Sequence, residues 1–389
     1  MMKTARQNPK KYIGISVAQA AKSGGPVCGD YLLSARTEEA TTVILCDGIG
    51  SGIKARIAAV MCASRMMELL RLGFSLRQAC AKVVMTMHAA RTRDIPFSAF
   101  CACRILKDGQ ATVISYEMPA PVIVEGMTAL PAPRRFITLG SEVIAETNFR
   151  LHTYNSLFLF SDGVSQAGMG RVFKFGWKEE GAADFIRSSL TQREVVEDLP
   201  RMILEKVRQY SGPTYGDDTT VLLLRCRRAR TVHILTGPPA EKKSDRKIIE
   251  RFIGLPGRKI VCGSTTADIA AQCLGVPVKN KPVSEAYYKP PQYEISGIDL
   301  VTEGALTLNQ LYNILEEDPR SFEEDSCVSS LCMMLRDADA VNIMAGTAAN
   351  PGYQNIIFRQ MGLLPRLAII QKIAEKLKEM GKLVTVEYL

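Results

Sequence analysis

The chain reads as an α+β sandwich over its first 228 or so residues, followed by a smaller α/β domain. Three observations predict this. Strand-like runs in the first part are mixed with paired helical patterns rather than alternating one strand to one helix, as expected of packed layers. From residue 231 onward, four apolar runs each break into glycine and small polar residues, and most lead into a helical pattern. That grammar suits parallel strands with their loops gathered at the carboxyl ends. Between the two parts lies Arg225-Cys226-Arg227-Arg228-Ala229-Arg230, a basic stretch that sets the domains at 1–228 and 231–389.

Two domains also follow from size, because a 389-residue chain exceeds the length at which one core stops growing. With 47% hydrophobic and 23% charged residues it has the composition of a globular protein. No apolar run approaches the ~20 residues of a membrane span, and Met1 to Lys11 is basic and polar, so a cytoplasmic chain without membrane contact is expected. The formal charge of +9 gathers in clusters without interleaved aromatics, which points to a solvated linker face and not to nucleic-acid binding. The eleven cysteines are scattered, with no CxxC, and read as small buried hydrophobes.

Taking the elements in order, Ile13, Ile15 and Val17 alternate as in a half-buried strand, and Thr41 to Cys46 reads as a fully buried one. After Ser51 the period changes. Ile53, Ile57, Val60, Ser64 and Met67 share one helical face, and Leu76, Ala79, Cys80, Val83, Val84 and Met87 share another. Strands return at Phe97 to Leu106, Ala111 to Tyr116, Val122 to Glu125 and Leu157 to Phe160, with a Pro-rich connection at Leu130 to Pro133. Helical patterns cover Ala182 to Leu190 and Arg193 to Tyr210, and a strand at Thr219 to Cys226 closes the segment.

Four aspartates sit where these apolar runs meet glycine: Gly29-Asp30, Asp47-Gly48-Ile49-Gly50-Ser51-Gly52, Ser161-Asp162-Gly163 and Gly216-Asp217-Asp218-Thr219-Thr220. One Asp-Gly alone marks a plain turn. Four carboxylates at the rim of a hydrophobic core need cationic compensation, and no matching set of arginines flanks them. Hard oxygen ligands suit Mg²⁺ or Mn²⁺, and four charges balance two such ions, which together activate water and clamp a phosphoryl group. Gly48 can bring its carbonyl to a metal, while Gly50 and Gly52 allow a tight turn into the next helix.

The order GD, CDGIGSG, SDG and GDDTT, spread from Asp30 to Asp218, resembles the metal-dependent type-2C protein phosphatases. Over residues 12–226 it is most similar to the sporulation stage II protein E (SpoIIE) branch. The resemblance implies an αββα sandwich with two divalent cations, Mn²⁺ or Mg²⁺, in a cleft at one sheet edge. It implies a bacterial signalling enzyme that hydrolyses phosphoserine or phosphothreonine on a regulatory protein, often an anti-sigma-antagonist-like one. Carried over, Asp30, Asp47, Asp162 and Asp217 and the carbonyl of Gly48 hold the metals. Asp217 takes the first position of the family's D-[ND]-x-T element, and Asp218 and Thr220 support the loop. One departure is plain: where many members have G-H-x-P, this chain has Tyr116-Glu117-Met118-Pro119. His88, His152 and His233 offer no replacement and read as structural residues.

In residues 231–389 the most informative segment is Gly263-Ser264-Thr265-Thr266, where a strand breaks into a helix start whose amides can hold a small anionic ligand. An ordinary Ser/Thr cap explains it as well. Three functions fit the whole chain: a phosphoprotein phosphatase with a sensing or docking domain, a binding protein on a degraded phosphatase scaffold, or a hydrolase of small phosphate esters.

Overall fold

The computed structural model describes residues 11–22, 25–50, 52–93, 95, 97–212, 215–280, 290–322, 326–348 and 362–389. The chain divides into two compact units between Arg228 and Ala229.

The first unit carries strands β1 (Lys11–Ala20), β2 (Tyr31–Arg36) and β3 (Ala40–Gly48), then helices α1 (Gly52–Arg71) and α2 (Leu76–Thr92). Strands β4 (Ser98–Leu106), β5 (Gln110–Tyr116), β6 (Val122–Glu125), β7 (Thr128–Pro131), β8 (Arg135–Leu139), β9 (Glu142–Arg150) and β10 (Ser156–Phe160) follow. Helices α3 (Asp162–Ser165), α4 (Lys178–Thr191) and α5 (Leu199–Ser211) precede the last strand, β11 (Thr219–Arg228). These strands form two antiparallel sheets, ordered β1-β11-β10-β6-β7 and β2-β3-β4-β5-β9-β8.

Side-chain alternation explains why the central strands are apolar at nearly every position. Val43 and Leu45 of β3 meet Leu157 and Leu159 of β10 and Leu222 and Leu224 of β11 between the sheets. Their neighbours Ile44 and Cys46 face Ala59, Met66, Val83 and Val84 of α1 and α2. On the other sheet, Phe158, Phe160, Val221 and Leu223 face Ile186 of α4 and Ile203 and Val207 of α5. A strand buried on both faces needs hydrophobes on both, and the result is the αββα layering. All eleven cysteines are free thiols, nine of them buried.

The structure departs from the sequence reading in four places. Part of the expected Pro-rich connection is β7, an edge strand, where the missing N–H of Pro131 costs no ladder bond. Strands β2, β8 and β9 carry mixed polarity along their length and left no clean alternation to read. The basic stretch is half strand: Arg225 to Arg228 complete β11, with Arg225 paired to Glu197 and Arg227 over the Tyr12 ring. The helical pattern from Arg193 also starts late, because Pro200 opens α5 at its first turn.

The second unit begins with β12 (Thr231–Thr236), α6 (Asp245–Gly254), β13 (Arg258–Cys262) and α7 (Ser264–Leu274). Short strands β14 (Lys279–Asn280) and β15 (Gln292–Glu294) lead to β16 (Leu300–Thr302), α8 (Ala305–Ile314) and α9 (Cys327–Asp337). The chain ends with β17 (Ala340–Ala345), a helix α10 (Arg366–Glu379) and β18 (Leu383–Tyr388). Its sheet runs β14-β15-β16-β13-β12-β17-β18, parallel from β16 to β18. The four glycine-ended runs are the neighbouring strands β16, β13, β12 and β17, so their loops share one edge. Helices α6 and α7 cover one face and α8, α9 and α10 the other. No helix among the described residues is long and apolar enough to cross a membrane.

Candidate functional site

Sheet register brings the four aspartates to one end of the sandwich. Tyr31 pairs with Cys46, so Asp30 at the start of β2 neighbours Asp47 at the end of β3. Phe160 pairs with Val221, so Asp162 just past β10 neighbours Asp217 and Asp218 just before β11. The two pairs are joined across the sheets: the Thr220 hydroxyl donates to Asp30 Oδ2 at 2.6 Å, and the Gly29 amide donates to Asp218 Oδ2 at 2.9 Å.

Two glycines of the motifs are required by close approach. A Cβ on Gly48 would lie 2.0 Å from the Ala55 carbonyl oxygen, so only glycine lets α1 rest on the Asp47 loop. A Cβ on Gly163 would lie 2.3 Å from the Asp218 carbonyl oxygen, so the third and fourth loops also touch backbone to backbone. Ser51 lies outside the described residues.

Asp30 is fully buried, and its Oδ1 has no hydrogen-bond partner. Burial pushes its carboxyl up to about 6, against the hydrogen bond from Thr220. Asp47 is pushed further, to about 9, by burial first and then by the charges of Asp30 and Asp162. Burial raises Asp162 as well, with the charge of Asp217 adding to it. Like charges this close in a low-dielectric rim cannot all ionise without a cation. Among the described residues no three His, Cys, Asp or Glu side chains are gathered closely enough to form a ready metal-holding group. The all-oxygen donor set and the unpartnered Asp30 Oδ1 fit a hard divalent cation.

Asp217 and Asp218 differ sharply. Asp218 is 5% exposed and accepts from the amides of Lys22 (2.8 Å) and Gly29 (2.9 Å). The Asp217 side chain is 36% exposed, and among the described residues its only ionic neighbour is Lys22 Nζ at 3.6 Å. Thr220 is a hub: it donates to Asp30, accepts from Gln19 Nε2 at 2.8 Å, and its amide donates to Ser161 Oγ at 2.8 Å.

Sequence reasoning missed Gln19, Lys22, Arg56 and Ser161. Arg56 stands one turn into α1, donates to the Asp30 carbonyl, and lies 4.7 Å over the Tyr31 ring. Its signal was its position four residues after Gly52. Where relatives have G-H-x-P, Glu117 sits in the left-handed region (φ 54°) and bonds Arg91, while Tyr116 donates to Glu142 at 2.8 Å. His88 Nδ1 lies 2.6 Å from Glu142, and His233 Nε2 lies 3.0 Å from the Pro256 carbonyl. In the second unit, Gly263 precedes α7, which lacks a side-chain cap; Ser264 and Thr265 open its first turn, and Thr266 is buried with its Oγ1 unpartnered.

Among solved structures, the chain is similar to the PP2C phosphatase domain with a fragment of the regulatory domain of SpoIIE from Bacillus subtilis, at 16% identity and a TM-score of 0.48. That match covers 57% of this chain and 63% of the other, so this chain spans under two thirds of it. It is also similar to the SpoIIE phosphatase domain from Bacillus subtilis in a form without domain swapping (17% identity, 57% and 95% covered, TM-score 0.45). A third is the RsbU and RsbW domains of a Mycobacterium tuberculosis protein (17% identity, 63% and 67% covered, TM-score 0.45). No curated protein sequence matches the chain. The model of the family described as Stage II sporulation protein E (SpoIIE) matches residues 37–227, beginning after Asp30 and taking in Asp47, Asp162 and Asp217. Residues 37–227 form a domain of the SpoIIE family.

Proposed function

We propose that the first unit is a metal-dependent phosphatase acting on phosphoserine or phosphothreonine of a regulatory protein. The observation that carries this is the buried Asp30 carboxylate with one unpartnered oxygen, gathered by the sheet register with Asp47, Asp162 and Asp217 at one end of the sandwich. Asp30, Asp47, Asp162, Asp217 and the Gly48 carbonyl would hold two Mn²⁺ or Mg²⁺ ions. When bound, such ions make water nucleophilic near neutral pH and offset the charge of a phosphoryl group.

The chain's own residues prepare this site. Thr220 fixes one oxygen of Asp30 and leaves the other open. Asp218 ties the Lys22 to Gly29 loop to the start of β11, so Asp30 is held from behind. Gln166 Nε2 donates to Asp162 Oδ2 at 2.7 Å and sets that carboxylate's orientation. Lys22 and Arg56 bring positive charge to the rim, where a phosphate would enter.

The test is hydrolysis of phosphopeptide, phosphoprotein and p-nitrophenyl phosphate with Mn²⁺, with Mg²⁺ and with EDTA. Activity should vanish in EDTA and fall by about 100-fold or more in Asp47→Asn, Asp162→Asn and Asp217→Asn. Full activity in two of these variants, or in EDTA, refutes the proposal. Hydrolysis of p-nitrophenyl phosphate alone would leave a small-ester hydrolase as the correct reading.

A further inference from the structure

The second unit is wound outward from β12 through β13 to β16, then returns to the other side of β12 with β17 and β18. The order therefore reverses between β12 and β17. Ligands of doubly wound sheets sit at the strands' carboxyl ends beside such a point. Here Gly237 follows β12 and Gly346 follows β17, and the Gly346 amide donates to the Thr236 carbonyl at 2.9 Å.

Arg366, the first residue of α10, stands at this point and is 7% exposed. Its Nη2 donates to the carbonyls of Gly346 (2.8 Å) and Ala348 (3.1 Å). Its Nε is buried without a partner, and among the described residues no carboxylate pairs with the guanidinium. A Cβ on Gly237 would fall 2.2 Å from Arg366 Cζ, so the turn after β12 is glycine to admit the guanidinium.

A second buried donor faces the same way. Thr236 ends β12 fully buried, and its Oγ1 has no partner. Alternation places it on the face of Val232 and Ile234, the face that α10 covers through Ile369 and Ile370. One strand over, α7 starts without a side-chain cap, and Thr266 Oγ1 in its first turn is likewise buried and unpartnered. The two carbonyl bonds to Arg366 use a single nitrogen and neutralise no charge. A buried cation without a counter-charge is costly to hold, and the guanidinium fork matches a carboxylate or phosphate.

We propose that this edge of the sheet binds a small molecule through an oxyanion, phosphate or carboxylate, taken by the Nε edge of Arg366 and the Thr236 hydroxyl. The open amides of α7 form the adjoining contact. The anchor differs from the one expected from sequence: Gly263 to Thr266 lie beside the point of reversal, and Arg366, far along the chain, occupies it.

The experiment is isothermal titration of the full chain with inorganic phosphate and with citrate, in EDTA so that the aspartate site of the first unit attracts no anion. Saturable binding of either anion is expected. It should weaken about tenfold or more in Arg366→Lys and in Thr236→Val, and stay unchanged in Asp162→Asn. Thr236→Val keeps the side-chain shape, so it carries the test if Arg366→Lys does not fold. No binding of either anion at millimolar concentration overturns the proposal, as does binding that Thr236→Val leaves unchanged.

Discussion

Asp217 and Asp218 are adjacent in sequence and indistinguishable in charge, yet the structure predicts opposite consequences for removing each. Asp218→Asn keeps one carbonyl oxygen for the two amides that Asp218 now accepts and turns an NH₂ toward the other. One charge-assisted bond is lost and a buried N–H is left unpaired, which costs about 2–4 kcal/mol. Asp217→Asn loses only a 3.6 Å ion pair with a well-exposed lysine and keeps an oxygen for the Asp218 amide. Its stability should change by less than about 1 kcal/mol. The assay is urea unfolding in EDTA followed by Trp177 fluorescence, the chain's single tryptophan, buried in the first unit and so blind to the second. Repeating it with Mn²⁺ at about a hundred times its Kd adds about 2.7 kcal/mol to any form that still binds the ion. Wild type should show that gain, and Asp217→Asn should lose it. Equal destabilisation of the two variants in EDTA, or an undiminished Mn²⁺ gain in Asp217→Asn, refutes the assignment of ligand and support.

Gly48→Ala drives a methyl into the Ala55 carbonyl and must displace α1; a cost of at least about 3 kcal/mol, or about 6–12 °C in Tm, is expected by calorimetry, with phosphatase activity lost. An unchanged Tm would show that α1 does not rest on this loop. Thr220→Val removes the donor to Asp30 Oδ2 and an acceptor for Gln19; urea unfolding should register a loss of about 1–3 kcal/mol, and a neutral result would count against the hub. Burial holds Asp30 up to about 6 and Asp47 up to about 9, against 3.8 for a free carboxyl. In EDTA the folded unit therefore binds more protons than the unfolded chain between about pH 4 and pH 9, so its stability falls as pH rises through that window. Asp47→Asn should flatten the upper part of the profile, and stability that rises with pH there would refute the cause.

What the sequence determined by itself was whatever repeats at short range. The largely apolar runs Thr41 to Cys46, Leu157 to Phe160 and Thr219 to Cys226 became central strands because a strand covered on both faces needs hydrophobes on both. The order of the aspartate motifs marked the site, since each stands where a strand meets a loop. Strands β2, β8 and β9, with mixed polarity, were legible only once their neighbours were in place. Tertiary structure alone separated Asp217 from Asp218, because the amides that claim Asp218 belong to residues 22 and 29, which lie 196 and 189 residues away in sequence. It alone brought Thr220 to Asp30 and left one oxygen of Asp30 unpartnered. It also set Arg366 against Gly237, two residues with no local pattern in common. Periodicity reports the face a residue shows to its own element, whereas hydrogen-bond partners and counter-charges come from chain contacts separated by a hundred residues or more, which no local pattern encodes.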